Sequence, residues 1–402
     1  MALLAGRAIF NPQWTHRWTW YPPLFAMLLI AVAMVPFAPN PLIARDATQS
    51  LFLMWLLVVA TASLIDSAPR AELLVKAYAA QFLIWGVLGA STGLVAWHTT
   101  LSNFDGFGAF MVIGGGLCGF LAFATHDKGE KWLMVLTVGL AAIGVVASFA
   151  RGAALAAVLV AGVVWLRSPR KGHVLVVGIV CAVIIVATAT ILFGDKYWAE
   201  LATIAQGTEE ATGEDRWEMW KAGLQVFLQR PLLGTGSKNW GVFAAEFFKP
   251  GQLGGDFADN PGMLYDRSLH SSYVQILAEH GIAGLLAFGW IVRDFWRRNV
   301  QLRTAEAAER WRALGGRLRL KSLALGLEAA FIGWLASASL YSQNGSHWFY
   351  TILAMNLVVH RVATGEAMGG ARSGGRGRTA VQSTSRGQGR VPATSSVMRS
   401  RI

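Results

Sequence analysis

Long apolar runs alternate with short polar connectors along most of this chain. The runs lie at about 22–38, 49–65, 72–97, 107–125, 131–149, 152–166, 173–193, 273–296, 319–341 and 346–362. An apolar helix of about 20 residues crosses the ~30 Å hydrocarbon layer of a bilayer. The pattern therefore predicts an all-α polytopic membrane protein with about ten transmembrane helices, or up to twelve if short re-entrant pieces are present.

The longest apolar stretch needs a turn. Residues 132–166 in a single helix would measure roughly 52 Å at ~1.5 Å per residue, which is too long for one span even when tilted. The segment Ser-Phe-Ala-Arg-Gly-Ala at 148–153 is the only polar, glycine-containing place where this stretch can turn. Arg151 is then expected at a membrane surface.

Charge is distributed unevenly among the connectors. Arg7 and Arg17, Arg70, Lys128 and Lys131, Arg167 to Lys171, the loop 293–321 and the C-terminal tail are basic and fall on alternate connectors. The segment 194–272 is different, because acidic residues outnumber basic ones there. By the positive-inside rule the basic connectors and both termini are cytoplasmic, and 194–272 lies outside.

This division predicts four regions. They are an N-terminal transmembrane bundle (1–193), a large periplasmic segment with amphipathic helices and the active site (194–272), C-terminal transmembrane helices (273–362) and a disordered basic cytoplasmic tail (363–402).

Composition agrees with a membrane protein. Of the 402 residues 54% are hydrophobic and 14% are charged, whereas soluble domains carry about 25% charged residues. The net charge of +12 does not indicate nucleic-acid binding, because the cations lie in membrane-flanking connectors. Cys118 and Cys181 lie inside apolar runs and are expected to pack there. The N-terminus has no cleavable signal-peptide pattern.

Within the outer segment, residues 216–228 have helical periodicity, with Trp217, Trp220, Leu224 and Phe227 or Leu228 on one face. We expect an amphipathic helix on the bilayer surface, with Asp215 or the preceding Gly or Glu as N-cap. Gly-Thr-Gly at 234–236 is expected to be a turn, and the Gly- and Pro-rich residues 250–267 a flexible loop or lid. A helix resumes near Ser271.

Three polar residues are candidates for chemistry. Arg151 lies between apolar runs, Arg216 opens the surface helix, and His270 lies where the outer segment re-enters the membrane. Each also has a simpler interpretation: an interfacial anchor, a surface ion pair and a tolerated polar residue. Their predicted position on one face at one depth favours a site, because guanidinium groups bind oxyanions and an imidazole accepts protons.

Other candidates are weaker. Tyr273, His347 and Gln343, with Asn344 beside it, could line such a site. Asp256 and Asp259 are the closest approach to a carboxylate pair, so no metal site is predicted. His280 is expected to be a packing or capping residue.

Three phrases together resemble the bacterial O-antigen ligases. They are Ser-Phe-Ala-Arg-Gly-Ala (148–153), the stretch 216–236, and 269–288, which contains His270, Tyr273 and the turn Glu279-His280-Gly281-Ile282-Ala283-Gly284. The chain also resembles the wider superfamily with O-antigen polymerases and O-oligosaccharyltransferases. The similarity covers roughly 105–360, and Ser271 replaces the Asn that often follows the histidine.

The resemblance implies a GT-C-like glycosyltransferase of the bacterial inner membrane. It would transfer a glycan from undecaprenyl pyrophosphate to a sugar hydroxyl of lipid A-core at the periplasmic face, without metal or other cofactor. Arg151 and Arg216 match the arginines thought to hold the pyrophosphate, and His270 matches the proposed general base. A single displacement would invert the anomeric centre.

Alternatives stay open at this point. A polymerase or a protein O-oligosaccharyltransferase would use the same donor, and a lipid or solute transporter would also have many spans and an intramembrane arginine. The implied partners are the lipid-linked donor, the lipid A-core acceptor and the bilayer, with no nucleic acid. The oligomeric state is left open, with a monomer as one option.

Overall fold

A computed structural model describes residues 20–92, 104–148, 150–188, 190–191, 194–202, 211–253, 257, 259–265, 267–342 and 346–366. These residues form helices joined by turns, with no strand among them. The α-helices are α1 (Pro22–Met34), α2 (Pro41–Leu64), α3 (Ala68–Thr92), α4 (Phe104–Ala124), α5 (Lys128–Ala147), α6 (Arg151–Arg167), α7 (Lys171–Thr188), α8 (Asp195–Ala202), α9 (Ala211–Gln229), α10 (Trp240–Phe247), α11 (Ser272–Gln301), α12 (Ala305–Ala313), α13 (Leu320–Ala338) and α14 (His347–Thr364). Short 3-10 turns occupy Val35–Phe37 and Pro261–Leu264.

A helix lies at each of the ten predicted apolar runs. Six of them, α2, α3, α4, α5, α11 and α13, contain stretches long and apolar enough to cross a membrane, and α1 and α7 provide shorter apolar stretches. The prediction of an all-helical chain with several membrane-crossing helices is supported. Crossing by α1, α6, α7 and α14 stays a prediction.

The turn expected near Arg151 is present. Helix α5 ends at Ala147 and α6 begins at Arg151. The Ser148 hydroxyl donates to the carbonyl of Val145 at 2.7 Å and accepts from the backbone N–H of Ala150 at 3.2 Å. These two bonds satisfy backbone groups where the helix stops, which is a common role of serine at helix ends.

The bundle core is built around α4, which packs against α5, α6 and α13. Small residues allow the backbones to approach closely. A Cβ atom on Gly114 would lie 2.3 Å from the Phe82 ring, and one on Gly116 would lie 3.0 Å from the Ala329 carbonyl oxygen. Such small-residue contacts are the usual basis of helix packing in membranes.

Connectors predicted to share the basic side are in contact at one end of the bundle. The buried carboxylate of Glu72 accepts hydrogen bonds from the backbone N–H groups of Arg317 and Leu318 at 2.6 and 2.7 Å. The N–H of Arg319 donates to the Ala124 carbonyl at 2.8 Å. We call this end, with residues 65–72, 124–131, 167–171 and 302–321, the basic end.

A buried ion cluster also lies toward the basic end. Glu328 is 1% exposed, and its carboxylate oxygens lie 3.2 Å from the Arg167 guanidinium and 3.1 Å from that of Arg303. Asn299 donates to the same carboxylate at 3.1 Å. The cluster joins α6, α11 and α13, and the two arginines compensate the desolvation of the carboxylate.

The opposite end holds a second hydrophobic core formed by the described part of the outer segment. Its buried members are Met219, Ala222, Val226, Trp240, Phe243, Ala244, Leu253, Phe257, Leu264, Leu269 and Ala278. The connector after α1 joins this end: the N–H of Asn40 donates to the Asn239 side chain at 2.7 Å, and Arg230 donates to the Phe37 carbonyl at 3.2 Å. We call this end the site end.

Two local predictions for the outer segment are wrong. Residues 250–267 are not simply a flexible loop, because Leu253, Phe257 and Leu264 are buried in the second core. Their burial outweighs the local Gly and Pro content. The N-cap prediction at Asp215 also fails, since α9 already begins at Ala211 and Asp215 lies inside it.

Helix α9 has two apolar faces, whereas the sequence predicted one. Met219, Ala222 and Val226 face the second core, while the predicted stripe leaves Leu224 and Leu228 exposed. The helix therefore has a buried face and a separate exposed apolar face. The predicted tail lies outside the described residues apart from its first positions, and the four-region division stays a prediction.

Candidate active site

Arg151 is the first residue of α6, and its side chain is half-buried. No side chain caps this helix N-terminus among the described residues. Its neighbour Gly152 lies against Tyr341, because a Cβ atom there would be 2.7 Å from the Tyr341 hydroxyl. The start of α6 thus combines a cationic side chain with the positive end of a helix dipole, and both favour an anion.

Arg216 reaches the same tyrosine from α9. Its guanidinium carbon lies 5.7 Å from the centroid of the Tyr341 ring, within the range of a cation–π contact. Its Nε atom is buried and has no hydrogen-bond partner among the described residues. A guanidinium held this way keeps donors available for an oxyanion.

The connection from α9 to the start of α11 is direct. The Trp220 indole N–H donates to the Leu269 carbonyl at 2.8 Å. Gly223 allows close approach on the same side, since a Cβ there would lie 2.7 Å from the Leu269 side chain. Arg216 lies four residues before Trp220, and His270 directly follows Leu269. Both candidate residues are therefore close in sequence to this one contact.

His270 has an uncommon backbone conformation. Its φ is 50°, in the left-handed region that few non-glycine residues adopt. Its N–H donates to the Ser268 hydroxyl at 3.3 Å, and the buried residues Leu269 and Ser271 flank it. Strained residues of this kind persist where surrounding packing imposes them, often at functional sites.

Tyr341 connects the elements that carry all three predicted residues. It is 4% exposed. In addition to its contacts with Gly152 and Arg216, its carbonyl accepts a hydrogen bond from the Ser272 hydroxyl at 3.0 Å. Arg151, Arg216 and His270 therefore each lie within two residues of a contact with this one side chain or its backbone.

The sequence did not single out Tyr341. A tyrosine at the end of an apolar run is typical of the aromatic belt at a membrane interface. A tyrosine at this position is expected without any functional site, so the sequence gives no sign that it contacts residues distant in the chain. The polar stretch that follows it, Ser342 to Ser346, was the available signal.

The weaker candidates are placed as follows. The Tyr273 hydroxyl donates to the Leu335 carbonyl at 2.7 Å, and its ring packs edge-on against Phe288. These contacts favour a role in holding α11 against α13. His347 is exposed at the first position of α14. Gln343 and Asn344 lie outside the described residues.

Residues 231–236 form a loop beside the site that makes hydrogen bonds to α11 on both sides of an interruption in that helix. Gly281 has φ 62° and ψ −157°, so the helix is interrupted there. The N–H groups of Ile282 and Ala283 donate to the carbonyls of Pro231 and Leu232 at 2.8 and 3.2 Å. This loop therefore satisfies donors that the interruption leaves without helical partners.

The same loop satisfies the acceptors on the other side of the break. The N–H groups of Thr235 and Gly236 donate to the carbonyls of Ala278 and Glu279 at 3.1 and 2.8 Å. Gly234 and Gly236 both have positive φ, which confirms the predicted turn. His280 is buried and lies 3.0 Å from the Ser237 hydroxyl, as expected for a packing residue.

No group of three or more His, Cys, Asp or Glu side chains that could hold a metal ion occurs in the described part of the chain. Asp256 lies outside the described residues, so its position relative to Asp259 is not described. The three candidate residues Arg151, Arg216 and His270 carry two guanidinium groups and one imidazole.

A protein-family model described as O-Antigen ligase matches residues 136–289. The match contains Arg151, Arg216 and His270, and it ends before Tyr341. No curated protein matches the chain.

Proposed function

We propose that this chain, which residues 136–289 place in the O-antigen ligase superfamily, transfers an O-antigen glycan from undecaprenyl pyrophosphate to a sugar hydroxyl of lipid A-core. The observation that carries the proposal is the convergence of α6, α9 and the start of α11 on Tyr341. This convergence brings the elements with Arg151, Arg216 and His270 to one place.

The proposed reaction is a single displacement. His270 takes the proton from the acceptor hydroxyl, and the acceptor oxygen forms a bond to the anomeric carbon of the donor sugar. The bond between that carbon and the pyrophosphate oxygen breaks, and its electron pair leaves with undecaprenyl pyrophosphate. The anomeric centre is inverted, and the proton held by His270 is returned to solvent.

The two arginines carry the electrostatic part of the reaction. Negative charge develops on the phosphate oxygen that was bound to the anomeric carbon as this bond breaks. Fixed cations and a helix N-terminus that face this oxygen would stabilise the transition state more than the ground state. No metal is required in this scheme, because Arg151 and Arg216 supply the positive charge.

The site end also suits substrates that are lipids. A donor and an acceptor anchored in a bilayer must meet near the level of the headgroups, and the exposed apolar face of α9 lies next to the site. We propose that this end faces the periplasm at the inner membrane, with the basic end in the cytoplasm.

Reconstitution tests the proposal directly. Purified protein in detergent or nanodiscs is supplied with undecaprenyl-pyrophosphate-linked glycan and lipid A-core, without nucleotide or membrane gradient. The expected result is glycan-capped lipid A-core. Absence of this product with an intact, folded protein would contradict the proposal, and gradient-dependent movement of lipid instead would favour a transporter.

A polymerase is the nearest alternative, since the superfamily contains both activities. The two differ in what a strain lacking the protein accumulates. Loss of a ligase leaves long polymer on undecaprenyl pyrophosphate, whereas loss of a polymerase leaves single-repeat products. Loss of a protein O-oligosaccharyltransferase would instead leave a glycoprotein unmodified.

A further inference from the structure

We infer that Tyr341 is a positioning residue for the pyrophosphate site, an inference that rests on the proposed function. The tyrosine lies three residues after the end of α13 at Ala338, outside the segment matched by the family model. It touches substrate in no step of the proposed reaction. Its role is to hold the Arg216 guanidinium against its ring.

The ring is the part that acts on Arg216. The guanidinium carbon lies 5.7 Å from the ring centroid, and the tyrosine is 4% exposed while the Nε of Arg216 is buried. An aromatic face attracts a cation most strongly where water is excluded. A contact with an aromatic ring uses none of the N–H groups of the guanidinium as hydrogen-bond donors to oxygen, so those donors remain for an anion.

The position of the tyrosine is itself fixed from two sides. On one side Gly152 has no Cβ, so the first turn of α6 lies directly against the hydroxyl end of the ring. On the other side the Ser272 hydroxyl, which is fully buried, donates to the Tyr341 carbonyl at 3.0 Å. A shift of Tyr341 would therefore disturb Arg216, the start of α6 and the start of α11 together.

Two substitutions separate the ring from the hydroxyl. Tyr341→Phe keeps the aromatic face and removes only the hydroxyl, whereas Tyr341→Leu keeps apolar bulk and removes the face. Phe331→Leu is the matched control. Phe331 is another fully buried aromatic, in the middle of α13 and ten residues before Tyr341, where it stacks on Phe295 at 3.9 Å.

The measurement is the dissociation constant for undecaprenyl pyrophosphate, the leaving group of the proposed reaction, with purified protein in nanodiscs. We expect Tyr341→Leu to weaken binding about tenfold, as loss of a desolvated cation–π contact would. Tyr341→Phe should rescue binding to within about threefold of wild type. Phe331→Leu should lower the thermal midpoint without changing the dissociation constant.

A background with Arg216→Ala identifies the route of the effect. If Tyr341 acts through Arg216, adding Tyr341→Leu to that background changes binding by less than about twofold. An undiminished tenfold loss there, or an equal loss with Phe331→Leu, would overturn the inference. Unchanged binding by Tyr341→Leu in the otherwise natural protein would overturn it as well.

The outcomes separate this inference from the proposed function. If wild type binds and transfers and Arg216→Ala binds more weakly and transfers more slowly, while Tyr341→Leu behaves as wild type, only the inference fails. If wild type neither binds undecaprenyl pyrophosphate nor transfers glycan, the proposed function fails and the inference fails with it.

Discussion

His270 combines an uncommon backbone conformation with the side chain proposed as the general base. Its left-handed φ of 50° directs the chain from the buried Leu269 into Ser271 and the start of α11. Asparagine tolerates this conformation better than most residues. A substitution can therefore remove the imidazole while keeping the backbone arrangement.

We predict that His270→Asn lowers the rate of glycan transfer by at least about 100-fold, the usual contribution of a general base. The thermal midpoint should stay within a few degrees of wild type, because asparagine fits the left-handed backbone. Transfer and melting are measured on the same purified samples. His173→Asn, on exposed α7 near the basic end, is the control and should retain both; a fully active His270→Asn would exclude His270 as the base.

The two arginines differ in how the structure holds them. Arg151 is fixed through the backbone, as the first residue of a helix whose next residue contacts Tyr341. Arg216 is fixed through its side chain, over the ring of that tyrosine. Arg216→Lys keeps the charge but loses the planar guanidinium, so it should lower the rate of glycan transfer by purified protein.

The interruption in α11 and the loop 231–236 form one hydrogen-bonded unit. The loop provides two carbonyls and two N–H groups to the backbone on either side of Gly281. Without it, four backbone groups next to an apolar helix would lose their partners, and unpaired backbone groups in such surroundings are costly.

Gly281→Ala should destabilise this unit. The added Cβ would lie 2.5 Å from the backbone of Leu232, and alanine would be strained at φ 62°. We expect a loss of about 2–4 kcal/mol, seen as a thermal midpoint lower by several degrees in purified protein. Gly289→Ala in the same helix is the control, since nothing lies within 4 Å of its added Cβ; it should be neutral or slightly stabilising. Equal melting of the two variants would show that the break does not depend on glycine.

Local sequence pattern predicted these elements to different degrees. Apolar runs located the ten helices and the turn before Arg151, because both depend on local hydropathy and length. Leu253, Phe257 and Leu264 were missed, since their Gly- and Pro-rich surroundings hide a core that forms only when α9, α10 and residues 253–264 meet. Tyr341 was missed for the same reason: its partners Gly152, Arg216 and Ser272 are distant in sequence.

At the scale of the whole molecule, the chain has two chemically different ends. The basic end is held by buried ion pairs and by carboxylate bonds to backbone, as at Glu328 and Glu72. The site end carries the second core and the three candidate residues.

Cysteine labelling tests the orientation of the two ends. In a background with Cys118→Ala and Cys181→Ala, Lys249→Cys places a thiol at an exposed position of the site end, and Arg170→Cys does so at the basic end. A maleimide that cannot cross the inner membrane should label Lys249→Cys from the periplasm and Arg170→Cys only after lysis. The reverse pattern would invert the proposed topology.

Arg151 and Arg216 are proposed to act together at one pyrophosphate site. The most direct test is the rate of glycan transfer from undecaprenyl pyrophosphate to lipid A-core by purified Arg151→Ala, Arg216→Ala and the double variant, compared with wild type. We predict a loss of at least about 100-fold for each single variant, in line with removal of one transition-state contact, and little further loss in the double variant. Transfer at the wild-type rate by either single variant would contradict it.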